Sequence, residues 1–128
     1  SFGLANGTEV GTQTLSDGTV LTFEGGGNSN TPKYYNTGTN IRMYPKNSVK
    51  ITAKKKIASV IFNVDEYNGA IYNASGDISA APGTVGTSGK VVTISNVGAV
   101  ETLITNMSGT TGVASQIRIV SLTINYAE

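Results

Sequence analysis

Apolar and polar residues alternate with a period of two along most of this chain, the spacing that sends successive side chains to opposite faces of a β-strand. In Thr19 to Glu24, Leu21 and Phe23 share one face, with Val20, Thr22 and Glu24 on the other. Ser48 to Ala53 repeats the pattern, Val49 and Ile51 facing a core and Lys50 and Thr52 facing water. The most apolar run, Ile57 to Val64, puts Ala58, Val60, Phe62 and Val64 on one side and Ile57 and Ile61 on the other. That pattern predicts a strand central in its sheet or covered on both faces. Ile41 and Met43 oppose Arg42 and Tyr44, and Val91 to Ser95 alternates again. In Gln116 to Tyr126 the apolar parity passes from Ile117 and Ile119 to Leu122, Ile124 and Tyr126, a slip that predicts a β-bulge near Val120 and Ser121.

One segment fits two periods. Val97, Val100, Leu103, Ile104 and Met107 make a helical stripe, whereas Gly98, Thr102, Thr105 and the surrounding turn residues favour extended chain. We read a strand through Glu101 to Asn106. Turns are expected at Asn6-Gly7, Asp17-Gly18, Pro45 to Asn47, Lys54 to Lys56, Asn68-Gly69, Ser75-Gly76, Pro82-Gly83 and Ser88-Gly89. The opening, Ser1 to Asp17, reads as irregular chain with an edge-like alternation at Phe2 and Leu4, and a short strand candidate lies around Ile71 and Tyr72. The sum is about eight short strands with no firm helix, the signature of an all-β sandwich or barrel. A single domain over residues 1–128 is predicted, long enough to bury a proper core.

Between the first two strong strands lies Gly25 to Tyr44, a glycine-rich connection that alone concentrates aromatic, basic and amide side chains. A connection longer than about 12 residues in a compact domain is usually functional or disordered, and the pair Tyr34 and Tyr35 argues against disorder. It reads as a binding loop. Lys33, Tyr34, Tyr35, Arg42 and Tyr44 supply what a sugar-binding surface needs, a flat aromatic floor with a few polar groups that fix orientation. Asn28 and Asn30 are secondary polar partners. The competing reading has the tyrosines capping the core and Arg42 paired with a neighbouring carboxylate.

Composition narrows the chemistry. Net charge is +1 and only 13% of residues are charged, so the broad field that gathers nucleic acid or anionic lipid is missing. The chain contains no histidine, which removes the usual general base, the usual zinc ligand and the Ser-His-Asp triad. It contains no cysteine, which removes disulfides and thiol chemistry. No apolar run approaches the ~20 residues that span a bilayer, so no direct membrane insertion is expected. Solubility carried by Thr, Ser, Asn and Gly fits an exported bacterial protein. Ser1 reads as a trimmed end that an export signal or anchor could have preceded.

The remaining constellations are weaker. Asp65, Glu66 and Asp77 with nearby loop carbonyls are the candidates for a structural calcium, which takes about six to eight oxygens, but no EF-hand spacing is present. Asp65 and Glu66, adjacent on a strand, point to opposite faces and cannot alone flank one glycosidic bond; with Glu24, Glu101 or Asp77 as partner a glycoside hydrolase is the third reading, and the prediction is that the chain is not an enzyme. Lys54 to Lys56 reads as a solubilising turn that protects a sheet edge. Gly25 to Gly27 lacks the Lys-Ser/Thr of a phosphate loop. Sequons stand at Asn6, Asn73 and Asn106 and matter only in a eukaryotic secretory path.

Taken together, Pro32 to Tyr35, Gly38-Thr39, Arg42 to Tyr44, the run IASVIFNV and the closing Arg118 to Tyr126 resemble a module found repeatedly in exported proteins of gut Bacteroidetes, with relatives in Gram-positive surface proteins. The likeness covers nearly the whole chain. It departs in one respect, since a Trp-x-Gly element common in the second half of such modules is missing and the chain has no tryptophan. What the resemblance implies is a jelly-roll-like antiparallel β-sandwich at the cell surface or secreted. Such a module would act without catalysis as a binding or adhesion domain for a glycan or surface polysaccharide, beside neighbouring domains of a longer chain. The alternative is a structural spacer with no ligand of its own. No cofactor is expected.

Overall fold

The computed structural model describes residues 2–67, 70–71, 77–109 and 115–128. The protein is all-β, and the described residues hold no α-helix and twelve strands, where the sequence pattern predicts about eight. They are β1 (Thr12–Thr14), β2 (Val20–Glu24), β3 (Lys33–Tyr35), β4 (Asn40–Met43), β5 (Ser48–Val64), β6 (Glu66–Tyr67), β7 (Ala70–Ile71), β8 (Ile78–Ala81), β9 (Thr84–Ser88), β10 (Val91–Ser95), β11 (Ala99–Asn106) and β12 (Ile117–Tyr126). All but β6 and β7 join one curled antiparallel sheet. Two of the expected strands are joined in β5, and the strands not expected are β1, β3, β6, β8 and β9; the first three have only two or three residues, too little alternation to register as a period, and β8 and β9 flank the turn at Pro82-Gly83.

The sheet is built on β5. At Thr52 it pairs with Val20 of β2 and Glu101 of β11, and at Ile57 with Tyr126 of β12 and Ala99 of β11. So β2 and then β12 follow one another along one edge of β5, and β11 and then β10 along the other. The expected turn at Lys54 to Lys56 is instead continuous strand. Ala53 to Lys56 stand opposite Val100 alone, and Ala58 has no partner between Ile57 and Ser59, so the run is a wide bulge and not a chain reversal. The lysines, all exposed, lie along the outside of this bend.

The bulge also resets the parity. Val49, Ile51 and Ala53 face inward before it, and Val60, Phe62 and Val64 after it, with Ile57 buried and Ala58 exposed. Ile57 therefore belongs to the core and Ala58 to the surface, the reverse of the simple alternation. The bulge predicted near Val120 is present, since the β12 register skips from Ile119 to Ser121. It lets Ile117 and Ile119 and then Leu122 and Ile124 face the same core. The strand reading of Glu101 to Asn106 also holds. Thr102 and Ile104 are buried while Val100, Leu103 and Met107 of the would-be helical stripe are exposed.

The inward residues of both halves of β5 form one apolar cluster that includes Leu21, Phe23, Met43, Val92, Ile94 and Ile104. Each such side chain, fully buried, contributes about 1.5–3 kcal/mol. Because β12 ends where β2 begins, the Tyr126 hydroxyl reaches back to Thr19 Oγ1 and donates to Asp17 Oδ2, tying the last strand to the first turn. The opening residues are not loose chain either. Phe2 and Leu4 pack on the core, and Gly7 and Val10 donate backbone hydrogen bonds to Tyr34 and Pro32, which closes the outer edge of β3. Tyr72, the turns expected at Asn68-Gly69 and Ser75-Gly76, and the sequon at Asn73 lie outside the described residues.

Candidate functional site

Gly25 to Tyr44 is not one long loop. It contains the hairpin β3–β4, turned at Asn36 to Thr39 with Gly38 (φ 80°) and Thr39 (φ 52°) in left-handed conformation. The turn closes over Asp65, since a Cβ at Gly38 would stand 2.7 Å from Asp65 Oδ2. β4 then pairs with the first residues of β12. This register sets Lys33 opposite Arg42 and Arg42 opposite Arg118, so three cations form one row across three adjacent strands. Directly opposed side chains on one face lie about 5 Å apart at their Cβ atoms.

Two tyrosines hold Arg42 and Lys33. The Arg42 guanidinium carbon sits 3.9 Å from the centroid of the Tyr35 ring, and Lys33 Nζ 5.7 Å from that of Tyr44. Both are cation–π geometries. The Tyr44 hydroxyl donates to the Tyr35 hydroxyl across 3.4 Å, joining the two rings at their polar ends. Burial, then the hydrogen bond and charge of Tyr35, push the Tyr44 hydroxyl up to about 12, against the opposing pull of Arg42 and Arg118. Tyr44 thus stays neutral, and the charge of the face is that of its cations.

Lys33, Tyr35, Arg42 and Tyr44 are each half-buried, while Arg118 is 7% exposed. Arg118 Nε donates to Gln116 Oε1 at 3.0 Å. Arg42 makes no side-chain hydrogen bond and no ion pair among the described residues, and its Nε is buried without a partner. Lys33 Nζ has one long contact, 3.4 Å to the Thr31 carbonyl, and no ion pair among the described residues, although Glu9 stands in register opposite Lys33. The expected alternative of a carboxylate bracing Arg42 is therefore absent among the described residues.

The structure separates the two adjacent tyrosines. Tyr34 pairs with Ile41 and turns to the opposite face, where with Phe2, Leu4, Leu15, Phe23 and Ile41 it lines an apolar cavity of about 450 Å³. Tyr35 pairs with Asn40 and stays with the cations. Of the five residues predicted as contacts, Lys33, Tyr35, Arg42 and Tyr44 come together and Tyr34 does not. Asn28 is taken up in shaping the loop, its Nδ2 donating to the Pro45 carbonyl and its Oδ1 accepting from the Asn30 amide. Asn30 is exposed, and its carbonyl accepts from Asn47 Nδ2.

Asn47, fully buried, anchors this end of the site. Its Oδ1 accepts the Tyr44 amide while its Nδ2 bridges the Gly25 and Asn30 carbonyls, so one side chain fixes both the loop and the start of the tyrosine. Asn106, also buried, does the same from β11, donating to the Met43 and Ser115 carbonyls.

The candidate calcium ligands are not gathered. Asp65 accepts from Asn40 Nδ2 and from the Glu66 amide, Glu66 pairs with Lys90 at 3.0 Å, and Asp77 is exposed with its carbonyl accepting from Met107. No group of three acidic side chains able to hold a metal ion occurs among the described residues.

Two members of the face, Arg118 and Gln116, lie some 75 residues from the hairpin and gave no local signal as site residues, although Arg118 opens the closing pattern on which the resemblance rests. Compared with protein-family models, with curated proteins and with solved structures, this chain matches none.

Proposed function

We propose that this chain is a non-catalytic binding module, an exported or cell-surface domain of jelly-roll-like sandwich form that holds a carbohydrate against the face made by Tyr35, Tyr44, Arg42 and Lys33. The observation that carries the reading is Arg42, stacked on Tyr35 beside Tyr44, with no carboxylate partner and no side-chain hydrogen bond among the described residues. A sugar needs an apolar platform and a few fixed donors. Here the platform is a composite of ring and guanidinium plane, because one face of Tyr35 is already covered by Arg42. The donors are the cations themselves, whose hydrogen bonds to oxygen are roughly twice as strong as neutral ones. The sandwich form is favoured by the bulge in β5, across which the inward parity switches while both halves feed one core. Affinity at one such shallow site is weak, and retention at a surface would rest on repeated copies.

A second reading, a spacer that binds nothing, draws support from the half-burial of the tyrosines and the mutual contact of their hydroxyls. A glycan array run with calcium and with chelator decides between them. The binding reading expects signal from the native domain and from Tyr34→Phe, and loss in Tyr35→Ala and Tyr44→Ala variants that still melt cooperatively. A blank array, or signal unchanged in the Tyr35 and Tyr44 variants, overturns it.

A further inference from the structure

The geometry points to a second binding site, the apolar cavity behind Tyr34, and to its ligand as an uncharged aromatic molecule of one or two rings bearing a hydroxyl or carbonyl group. This site is independent of the carbohydrate face, since Tyr34 and Tyr35 turn to opposite sides of β3.

The cavity lies where the sheet closes on itself. From β2 the pairing runs through β5, β12 and β4 to β3. The opening residues complete the ring: Gly7 and Val10 donate to the carbonyls of Tyr34 and Pro32, and the Gly11 carbonyl accepts from the Phe23 amide. The inward side chains of a small closed ring of strands either fill its interior or leave room for one small ligand. Here they leave room. The walls are Leu21 and Phe23 of β2, Tyr34 and Ile41 of the hairpin, and Ile119 and Leu122 from the two sides of the β12 bulge. Phe2, Leu4 and Leu15 close it further. Thr39, Val120 and Ser121 also line it and are exposed, so a way in from solvent runs between the hairpin turn and the bulge.

Its size separates it from a packing defect. Interiors are close-packed, with few voids larger than a water molecule. An apolar cavity of about 150 Å³ already admits a benzene-sized guest, and this one measures about 450 Å³, within the range of small-molecule sites.

Three features select the guest. Phe2, Phe23 and Tyr34 put three aromatic rings into the wall, which favours a ring packed against them in offset or edge-to-face contact. None of the residues that line the cavity is charged, and burying an ion without a partner is costly, so the guest is neutral. The Tyr34 hydroxyl has no hydrogen-bond partner among the described residues, while the amide and carbonyl of the same residue are bonded to Thr8 and Gly7. A phenol both donates and accepts, so it can hold a hydroxyl or a carbonyl on the guest.

The test is an NMR titration of the isotope-labelled whole chain at neutral pH with 2-naphthol and with 2-naphthoate, the same two rings bearing a charge. 2-Naphthol is expected to shift the amides of Tyr34, Ile41 and Leu122 and to bind about tenfold or more tighter than 2-naphthoate. Tyr34→Phe keeps the ring and removes the hydroxyl, and should weaken 2-naphthol about threefold to tenfold. Leu4→Trp, at a half-buried position, sets a larger ring in the same space and should weaken it at least about tenfold. Should that variant not melt cooperatively, Leu122→Trp on β12 serves the same purpose. Absence of 2-naphthol binding overturns the site. So does equal binding of 2-naphthoate, or binding whose shifts fall away from these residues or that persists in the filled variant. Any of these leaves the carbohydrate reading standing, because the glycan array reads the opposite side of β3.

Discussion

The guanidinium carbon of Arg42 lies 3.9 Å from the centroid of Tyr35, on a strand whose register also sets Arg42 against Lys33 and Arg118. A cation over an aromatic face gains about 0.5–2 kcal/mol, more as water is excluded. Tyr35→Ala removes that contact and the ring that covers the buried Arg42 Nε, and a loss of about 1–3 kcal/mol in urea unfolding is expected. Tyr35→Phe keeps the ring and removes only the long hydroxyl contact to Tyr44, so a change within about 0.5 kcal/mol is expected. Equal costs for the two variants would show that the hydroxyl, not the ring, holds the face.

Asn47 bonds three backbone groups, the Tyr44 amide and the carbonyls of Gly25 and Asn30, of which Gly25 also accepts from the Asn28 amide. Asn47→Ala removes these bonds at a side chain of zero exposure and takes from the Tyr44 amide its partner there, and a buried orphan costs about 1–3 kcal/mol. A destabilisation of at least about 2 kcal/mol is predicted, together with loss of ligand binding, because Tyr44 and the loop would no longer share an anchor. Unfolding curves of the variant read the first, and titration under native conditions reads the second.

Gly26 and Gly27 both adopt positive φ, 62° and 93°, so either would be strained by a side chain. They differ in their surroundings. A Cβ at Gly26 would fall 2.0 Å from the Lys46 carbonyl oxygen, whereas one at Gly27 meets nothing within 4 Å. Gly27→Ala is expected to cost about 1–2 kcal/mol from backbone conformation alone. Gly26→Ala must also push the loop off the Pro45–Lys46 turn, and should cost at least about 2 kcal/mol more. Similar midpoints for the two variants would contradict the packing of these loops.

The pH dependence follows from three groups. Tyr44 is raised from 10.0 to about 12 by burial first, and Tyr126 is raised by burial and then by its hydrogen bond to Asp17. Between those values the folded chain keeps a proton that the unfolded chain releases, so stability is full below about pH 10 and declines as pH rises toward about 12. Tyr44→Phe should flatten that decline. At the acid end Asp17 is lowered from 3.8, chiefly by the Tyr126 hydroxyl and then by the Thr19 amide. Its contribution is present above the unfolded value and lost as pH falls through the folded one. Tyr126→Phe should therefore reduce the loss of stability on acidification, as read from melting temperatures across the acid range.

Alternation made much of the sheet legible in the sequence: β2, β4, β10, both halves of β5 and the bulge in β12 follow from period and phase. At Lys54 to Lys56 the pattern misleads, because a charged triplet between two apolar runs looks the same whether the chain reverses or bulges. What separates those cases is pairing on both edges of β5, supplied by β11 and β12 from far along the chain. At the site, Lys33, Tyr35, Arg42 and Tyr44 are identifiable as residue types, but nothing in the sequence parts Tyr34 from them although neighbours on a strand point to opposite faces. β3 spans only three residues, too few to announce that rule in the sequence. Arg118 joins through register alone, which no local pattern reveals. Asn28 reads as a ligand partner in the sequence because amides serve both roles; its bond to the Pro45 carbonyl makes it part of the frame.

The central claim is that Arg42 is held in place for a ligand and not for the fold, and Arg42→Met tests it most directly. Methionine keeps an unbranched apolar side chain over Tyr35 and removes the charge that faces Lys33 and Arg118. The account predicts a melting temperature equal to or above that of the native chain, since relief of like-charge repulsion offsets the lost cation–π contact, together with loss of carbohydrate binding. A melting temperature lowered by several degrees with binding intact would contradict it, and would make the cation row a structural element of the sheet.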